Sequence, residues 1–145
     1  MIIELPDIEA MQAFGKQLAG KLRPGDVLAL SGGLGAGKTT LARAIISALG
    51  HNGDVPSPTF TLLETYDELH IPLVHADFYR IEDPAEMREL GLDDYRENAV
   101  LIAEWPDKAG GFAHEPGCLS IRLEIVGEGR RAIVEPGADW VSRWP

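Results

Sequence analysis

The sequence predicts an α/β fold: one domain over residues 1–145, with a central, mostly parallel mixed sheet flanked by helices and a C-terminal β-hairpin. Three observations predict it. The apolar run DVLALS (26–31) passes directly into the glycine-rich SGGLGAGKTT (31–40) and then into the helical pattern TLARAIISAL, so strand, loop and helix follow without a break. AVLIAE (99–104) is a continuous apolar run closed by a carboxylate, as a strand buried on both faces of a parallel sheet requires. LSIRLEIV and RRAIVEP flank GEG (127–129), the pattern of a late hairpin.

The remaining elements follow in order. IIEL reads as a short strand. Asp7 caps a helix in which Ile8, Met11, Phe14, Leu18 and Leu22 form one apolar stripe, closed by Pro24-Gly25. The helix after the glycine loop stops at Gly50. HNGDVPSP (51–58) is a loop by composition. TFTLLETY (59–66) and IPLVHADFY (71–79) read as two strands around the polar link DELH. PAEMREL (84–90) reads as a helix, with Pro84 near its start and Gly91 just past its end. No internal repeat, low-complexity tract or linker interrupts the chain.

Composition bounds the function. Hydrophobic residues at 45% and charged residues at 25% can build a packed core, which excludes disorder throughout. No run of about 18 apolar residues is present, so no membrane span is expected. MIIELPD carries an acidic residue and no basic leader, so the expected location is the cytoplasm. Cys118 is the single cysteine, which excludes an internal disulfide and fits a reducing compartment; it reads as a small buried hydrophobe near a strand start. Thirteen Lys and Arg against 23 Asp and Glu leave a net charge of −10, whose mean field repels a polyanion and argues against autonomous tRNA or DNA binding.

The glycine loop carries the most chemistry. Gly32, Gly37, Lys38 and Thr39 meet G-x-x-x-x-G-K-[ST] in full, with Gly33 and Gly35 inside. Glycines let the backbone curl and aim successive N–H groups at phosphate oxygens, and the following helix adds its positive end. Lys38 is spaced to reach the β- and γ-phosphates, Thr39 to ligate Mg²⁺, and Thr40 to donate to the α-phosphate. A flexible glycine turn before a helix is the plain alternative. The functional reading makes the fold a P-loop NTPase.

Such a loop needs an acidic partner at a neighbouring strand end. Glu104 ends AVLIAE and Asp77 ends LVHAD, where open α/β sheets bind ligands; an exposed strand-end acid is the alternative for each. His75 and Asp77, two apart, share a face, but two ligands make no metal site, so His75 is not assigned one. Trp105 by itself reads as packing. Ser57 and Thr59 lie where switch segments place a hydroxyl near the γ-phosphate, or are ordinary hydroxyls at the start of a strand. The acidic run Glu82, Asp83, Glu86, Glu89, Asp93 and Asp94 reads as a solvated helix face.

GGLGAGKTT, SPTF, HADFYR, DPAEMRELGLDDY and EWP occur in an order and spacing that resemble the TsaE family, also called YjeE, over nearly the whole chain. Those proteins are small bacterial P-loop ATPases required for making threonylcarbamoyladenosine in tRNA. The resemblance implies ATP and Mg²⁺ as cofactors, with Gly33, Leu34, Gly35, Ala36, Gly37, Lys38, Thr39 and Thr40 cradling the phosphates. It implies Mg²⁺ held by Thr39 and Glu104, and a catalytic set of Lys38, Asp77 and Glu104. It further implies that Thr59 is a switch residue, that Trp105 and Ile8 lie near the nucleotide, and that Arg130 reaches it. One departure is Gly33, where the family often has Asp. The resemblance also implies that the substrate is another protein: family members act on a TsaD–TsaB complex, meet tRNA only through it, and use ATP to reset it between turnovers. A small-molecule kinase is the runner-up, but residues 106–129 offer only Arg122 and no arginine-rich lid. A GTPase lacks its N-K-x-D segment here, and a pure binding module would release no phosphate.

Overall fold

The computed structural model describes residues 1–145. In chain order they form β1 (Ile2–Leu5), α1 (Ile8–Ala19), β2 (Val27–Ser31), α2 (Lys38–Ala48), β3 (Leu63–Tyr66), β4 (Leu73–Asp77), α3 (Glu86–Leu90), α4 (Leu92–Tyr95), β5 (Val100–Glu104), β6 (Cys118–Val126) and β7 (Gly129–Pro136). Short 3₁₀ turns cover Pro106–Ala109 and Ala138–Trp140. The seven strands make one sheet in the order β1-β7-β6-β2-β5-β4-β3. Its middle is parallel, with β2 paired to β6 and β5, and β5 to β4. Both margins are antiparallel: β6, β7 and β1 on one side, β3 against β4 on the other.

The middle strands are apolar without alternation because both faces are covered. Leu28 and Leu30 of β2, with Val100 and Ile102 of β5, join the larger core cluster beneath α1 and α2. Val27, Ala29, Leu101 and Ala103 point the other way, into a smaller cluster with Phe78, Met87, Leu92 and Phe112. Asp7 caps α1 through Ala10 N–H, and Met11, Phe14 and Leu18 bury its stripe. The two helices of the larger face approach closely at Gly15, where an added Cβ would lie 2.6 Å from the Ala44 Cβ.

Four expectations change. Ile8 does not join the stripe: as the first residue of α1 it stays 51% exposed and borders a cleft. Leu22 is buried but lies beyond the helix, which ends at Ala19. Only the second half of TFTLLETY pairs as a strand. Pro58 C=O takes the Leu62 N–H at 2.7 Å and Leu62 sits at φ +68, so residues 59–62 turn before β3 begins. After Gly91 (φ +72) the chain forms α4, which the periodicity did not mark because it is a single turn anchored by Leu92.

The C-terminal segment closes the larger core in a way the sequence did not announce. Arg143 forms a two-pronged pair with buried Asp26 (2.6 and 2.7 Å) and stacks 4.0 Å from the Trp140 ring centroid. Trp144 packs edge-on against Phe14. No helix is long and apolar enough to cross a membrane.

Candidate functional site at the ends of the parallel strands

β2, β4 and β5 end side by side, and the chain leaving each bends over the same edge of the sheet. The glycine loop leaves β2 with Gly32, Gly35 and Gly37 at φ +134, +79 and +106, conformations that side-chain-bearing residues rarely adopt. Gly32 is required for a second reason: a Cβ there would meet Leu123 C=O at 2.4 Å, whereas one on Gly33 would meet nothing within 4 Å. α2 follows with Gly37 as its N-cap and no side chain capping it, so its first-turn N–H groups are available at the loop.

Lys38 opens α2, yet its side chain is buried against the loop. Its Nζ donates to Gly32 C=O (2.7 Å) and Gly33 C=O (2.9 Å) and lies 4.4 Å over the Trp105 ring. Trp105 reaches that position because it sits at φ +54, turning the chain back directly after β5. Burial lowers the Lys38 pKa from its ordinary value, while the charges of Glu104 and Asp77 act in the opposite direction.

The two carboxylates are the last residues of β4 and β5, and both are buried, Asp77 at 5% and Glu104 at 2% exposure. Glu104 Oε1 accepts from Thr39 Oγ1 at 2.9 Å. Glu104 Oε2 accepts from His75 Nε2 at 2.6 Å. Asp77 accepts from Tyr79 N–H (2.9 Å) and from Thr59 Oγ1 (3.1 Å), and Thr59 is itself 2.8 Å from Ser57 Oγ.

A cavity of about 250 Å³ lies over this edge, bordered by Lys38, Thr39, Thr40, Thr59, Asp77, Glu104 and Trp105. A second, of about 220 Å³, adjoins it on the other side of the loop; the two share Gly35, Gly37 and Thr40. Ile8 and Arg130 border the second, where Arg130 Nη2 donates to Gly35 C=O at 3.0 Å. The structure therefore brings Lys38, Thr39, Thr59, Asp77, Glu104 and Trp105 into one cleft and puts Ile8 and Arg130 in its neighbour. Gly33, Leu34 and Ala36 complete the loop, Leu34 exposed and Ala36 buried. Arg80, by contrast, is exposed and lies over the Phe60 ring.

Sequence reasoning set His75 aside, and the fold makes it the partner of Glu104. One signal was there: a histidine inside an apolar run must find a polar partner, and the strand-end carboxylates Asp77 and Glu104 were the two on offer. The donors near Thr39 are hydroxyl and carboxylate oxygens, a set that fits a hard cation such as Mg²⁺. No group of three or more His, Cys, Asp or Glu side chains gathers anywhere to hold a metal ion by itself.

Fold and site together define a class: a single-domain α/β protein whose parallel strands present a Walker-type glycine loop and two buried carboxylates at one edge. The model of the family described as "Threonylcarbamoyl adenosine biosynthesis protein TsaE" matches residues 5–133, and the chain belongs to that family, which serves tRNA threonylcarbamoyladenosine biosynthesis. The tRNA threonylcarbamoyladenosine biosynthesis protein TsaE of Haemophilus influenzae is 38% identical over 121 residues, 79% of this chain and 77% of that one. The protein of the same name from Bacillus subtilis is 45% identical over 98 residues, 67% of this chain and 61% of that one. Among solved structures, Bacillus subtilis YdiB superposes with a TM-score of 0.77 at 30% identity, covering 97% of this chain and 88% of its own.

Proposed function

We propose that this chain is the ATP-binding and ATP-hydrolysing component of tRNA threonylcarbamoyladenosine formation, a Mg²⁺-dependent ATPase that acts on the TsaD–TsaB complex and supports its turnover. One observation carries the reading: the Thr39 hydroxyl, first turn of α2, meets the Glu104 carboxylate at 2.9 Å beside Lys38. Lys38 and Thr39, neighbours at the start of α2, converge with Glu104, 65 positions on, where a glycine loop offers backbone N–H groups.

The roles follow from the chemistry of each group. Gly33 to Thr40 supply N–H donors and a helix N-terminus for an anion. Lys38, held now by two loop carbonyls, would exchange them for phosphate oxygens. Thr39 and Glu104 would hold Mg²⁺, which when bound neutralises developing phosphate charge. Asp77, tied to Thr59 and through it to Ser57, would orient the attacking water and couple it to the segment 57–60. Trp105 covers Lys38 and keeps water from it. Ile8 and Arg130, in the adjoining cavity, would meet the nucleoside end.

No arginine borders the Asp77–Glu104 cleft, so hydrolysis by the chain alone is slow; a finger supplied by a partner can be worth 10³ to 10⁵ in rate. Phosphate release measured alone, with the TsaD–TsaB pair, and with a panel of small-molecule acceptors tests the reading. The expected result is slow release alone, stimulation by the pair that weakens with salt, loss of both in Lys38→Ala, and no phosphorylated acceptor. Fast release alone, no response to the pair and a phosphorylated acceptor would establish a kinase instead.

A further inference from the structure

We infer that His75 is a positioning residue: it anchors Glu104 Oε2 so that Oε1 remains at Thr39 and the carboxylate stays set for a cation. The inference rests on the nucleotide and Mg²⁺ reading above and goes beyond it by adding a residue that touches neither ligand.

His75 is the middle residue of β4, fully buried at 0% exposure, with Ile102 of β5 and Glu64 of β3 as its register partners. Valine or isoleucine would fill such a place with no polar atom to satisfy. Instead the ring makes one hydrogen bond, from Nε2 to Glu104 at 2.6 Å, and its Nδ1 has no partner at all. An unpartnered buried polar atom loses its hydration with nothing in exchange, so the imidazole is kept against a local penalty. Its single polar contact is the thing it supplies.

Glu104 needs it. At 2% exposure its carboxylate cannot rely on water, and its side chain has three rotatable bonds by which to turn away. Thr39 and His75 are its two side-chain donors, one to each oxygen. When the Thr39 oxygen is engaged by a cation, His75 is the donor that remains. The bond also fixes the ring, with Nε2 toward Glu104 and Nδ1 left without a partner.

Two substitutions separate positioning from packing. In His75→Gln the amide nitrogen falls near the place of Nε2, whereas in His75→Asn it reaches only as far as Nδ1. ATP affinity is measured by calorimetry for each, once with Mg²⁺ and once with EDTA. The ratio of the two affinities is the Mg²⁺-dependent gain. His75→Asn is expected to lower that gain by about 10- to 100-fold, the usual cost of losing an outer-shell partner, with affinity in EDTA unchanged within about twofold. His75→Gln is expected to keep most of the gain. If His75→Asn does not fold, His75→Phe takes its place, with the same loss expected. The inference is overturned if the shortened or apolar variant retains the gain, if Gln loses it equally, or if affinity in EDTA falls in step. A native chain with no Mg²⁺-dependent gain overturns the Mg²⁺ reading and the inference with it, and one that binds no ATP under either condition overturns the nucleotide reading as well.

Discussion

Asp77 and Glu104 are register partners on parallel strands, side by side at the last position of β4 and β5, yet they share no hydrogen-bond partner. Glu104 is tied to the glycine-loop helix through Thr39 and to the core through His75. Asp77 is tied to the segment after α2 through Thr59. Two buried like charges so placed are tolerable because each has its own donors and because Lys38 feels both. The division makes one carboxylate a fixture of the loop and the other a link to a more exposed segment.

That division predicts different losses. Glu104→Gln keeps the shape and removes the charge a hard cation requires. We expect Mg²⁺-dependent phosphate release to fall by about 100-fold or more, with a small change in melting temperature. Asp77→Asn should slow release while leaving Mg²⁺-dependent ATP affinity nearly intact. Calorimetry and phosphate release on both variants check this; the reverse pattern would exchange the two roles.

Neighbouring glycines should respond oppositely. Gly32→Ala forces a Cβ against Leu123 C=O at φ +134 and should cost on the order of 3 kcal/mol. Gly33→Asp, which restores the residue the family often carries there, enters open space and should leave the urea midpoint nearly unchanged. Equal destabilisation by the two would show that the loop's geometry differs from the one described.

The C-terminal clasp should be a stability element with no part in the chemistry. Arg143→Ala leaves Asp26, 4% exposed, without its cation, and removing one partner of a buried pair costs about 3–5 kcal/mol. Adding Asp26→Asn should recover part of the loss. Denaturation of the single and double variants measures it, and additive losses would mean the pair is not coupled.

Cys118 gives a pH dependence with a definite sign. Burial raises its thiol pKa from the ordinary 9.0, with Ser120 acting the other way. Below pH 9.0 folded and unfolded chains both hold the proton, so the contribution is fully present. As pH rises above 9.0 towards the folded value, only the unfolded chain releases it and stability is lost. The melting-temperature advantage of the native chain over Cys118→Ala should therefore be constant below pH 8 and shrink above pH 9. A flat difference to pH 10 would remove the effect.

Local signals carried much of this protein. The glycine loop, the cap at Asp7, the apolar runs of β2 and β5 and the hairpin around Gly127 are short-range patterns: hydrophobic period, turn chemistry and motif spacing are written within a few residues. The acids Asp77 and Glu104 were legible for the same reason, each closing an apolar run. What the sequence could not determine depends on which strands lie together. That His75 meets Glu104, 29 positions on, requires β4 and β5 to pair in parallel at one register; a slip of one residue would send His75 to the opposite face. That residues 59–62 turn, with Leu62 at φ +68 and Thr59 held on Asp77, 18 positions away, is something strand propensity does not contain. Arg143 reads as one charge near a chain end until the fold lays it on Asp26, 117 positions away, beside Trp140. Local patterns set which segments become strands and helices, and only the tertiary structure decided which buried polar groups became one another's partners.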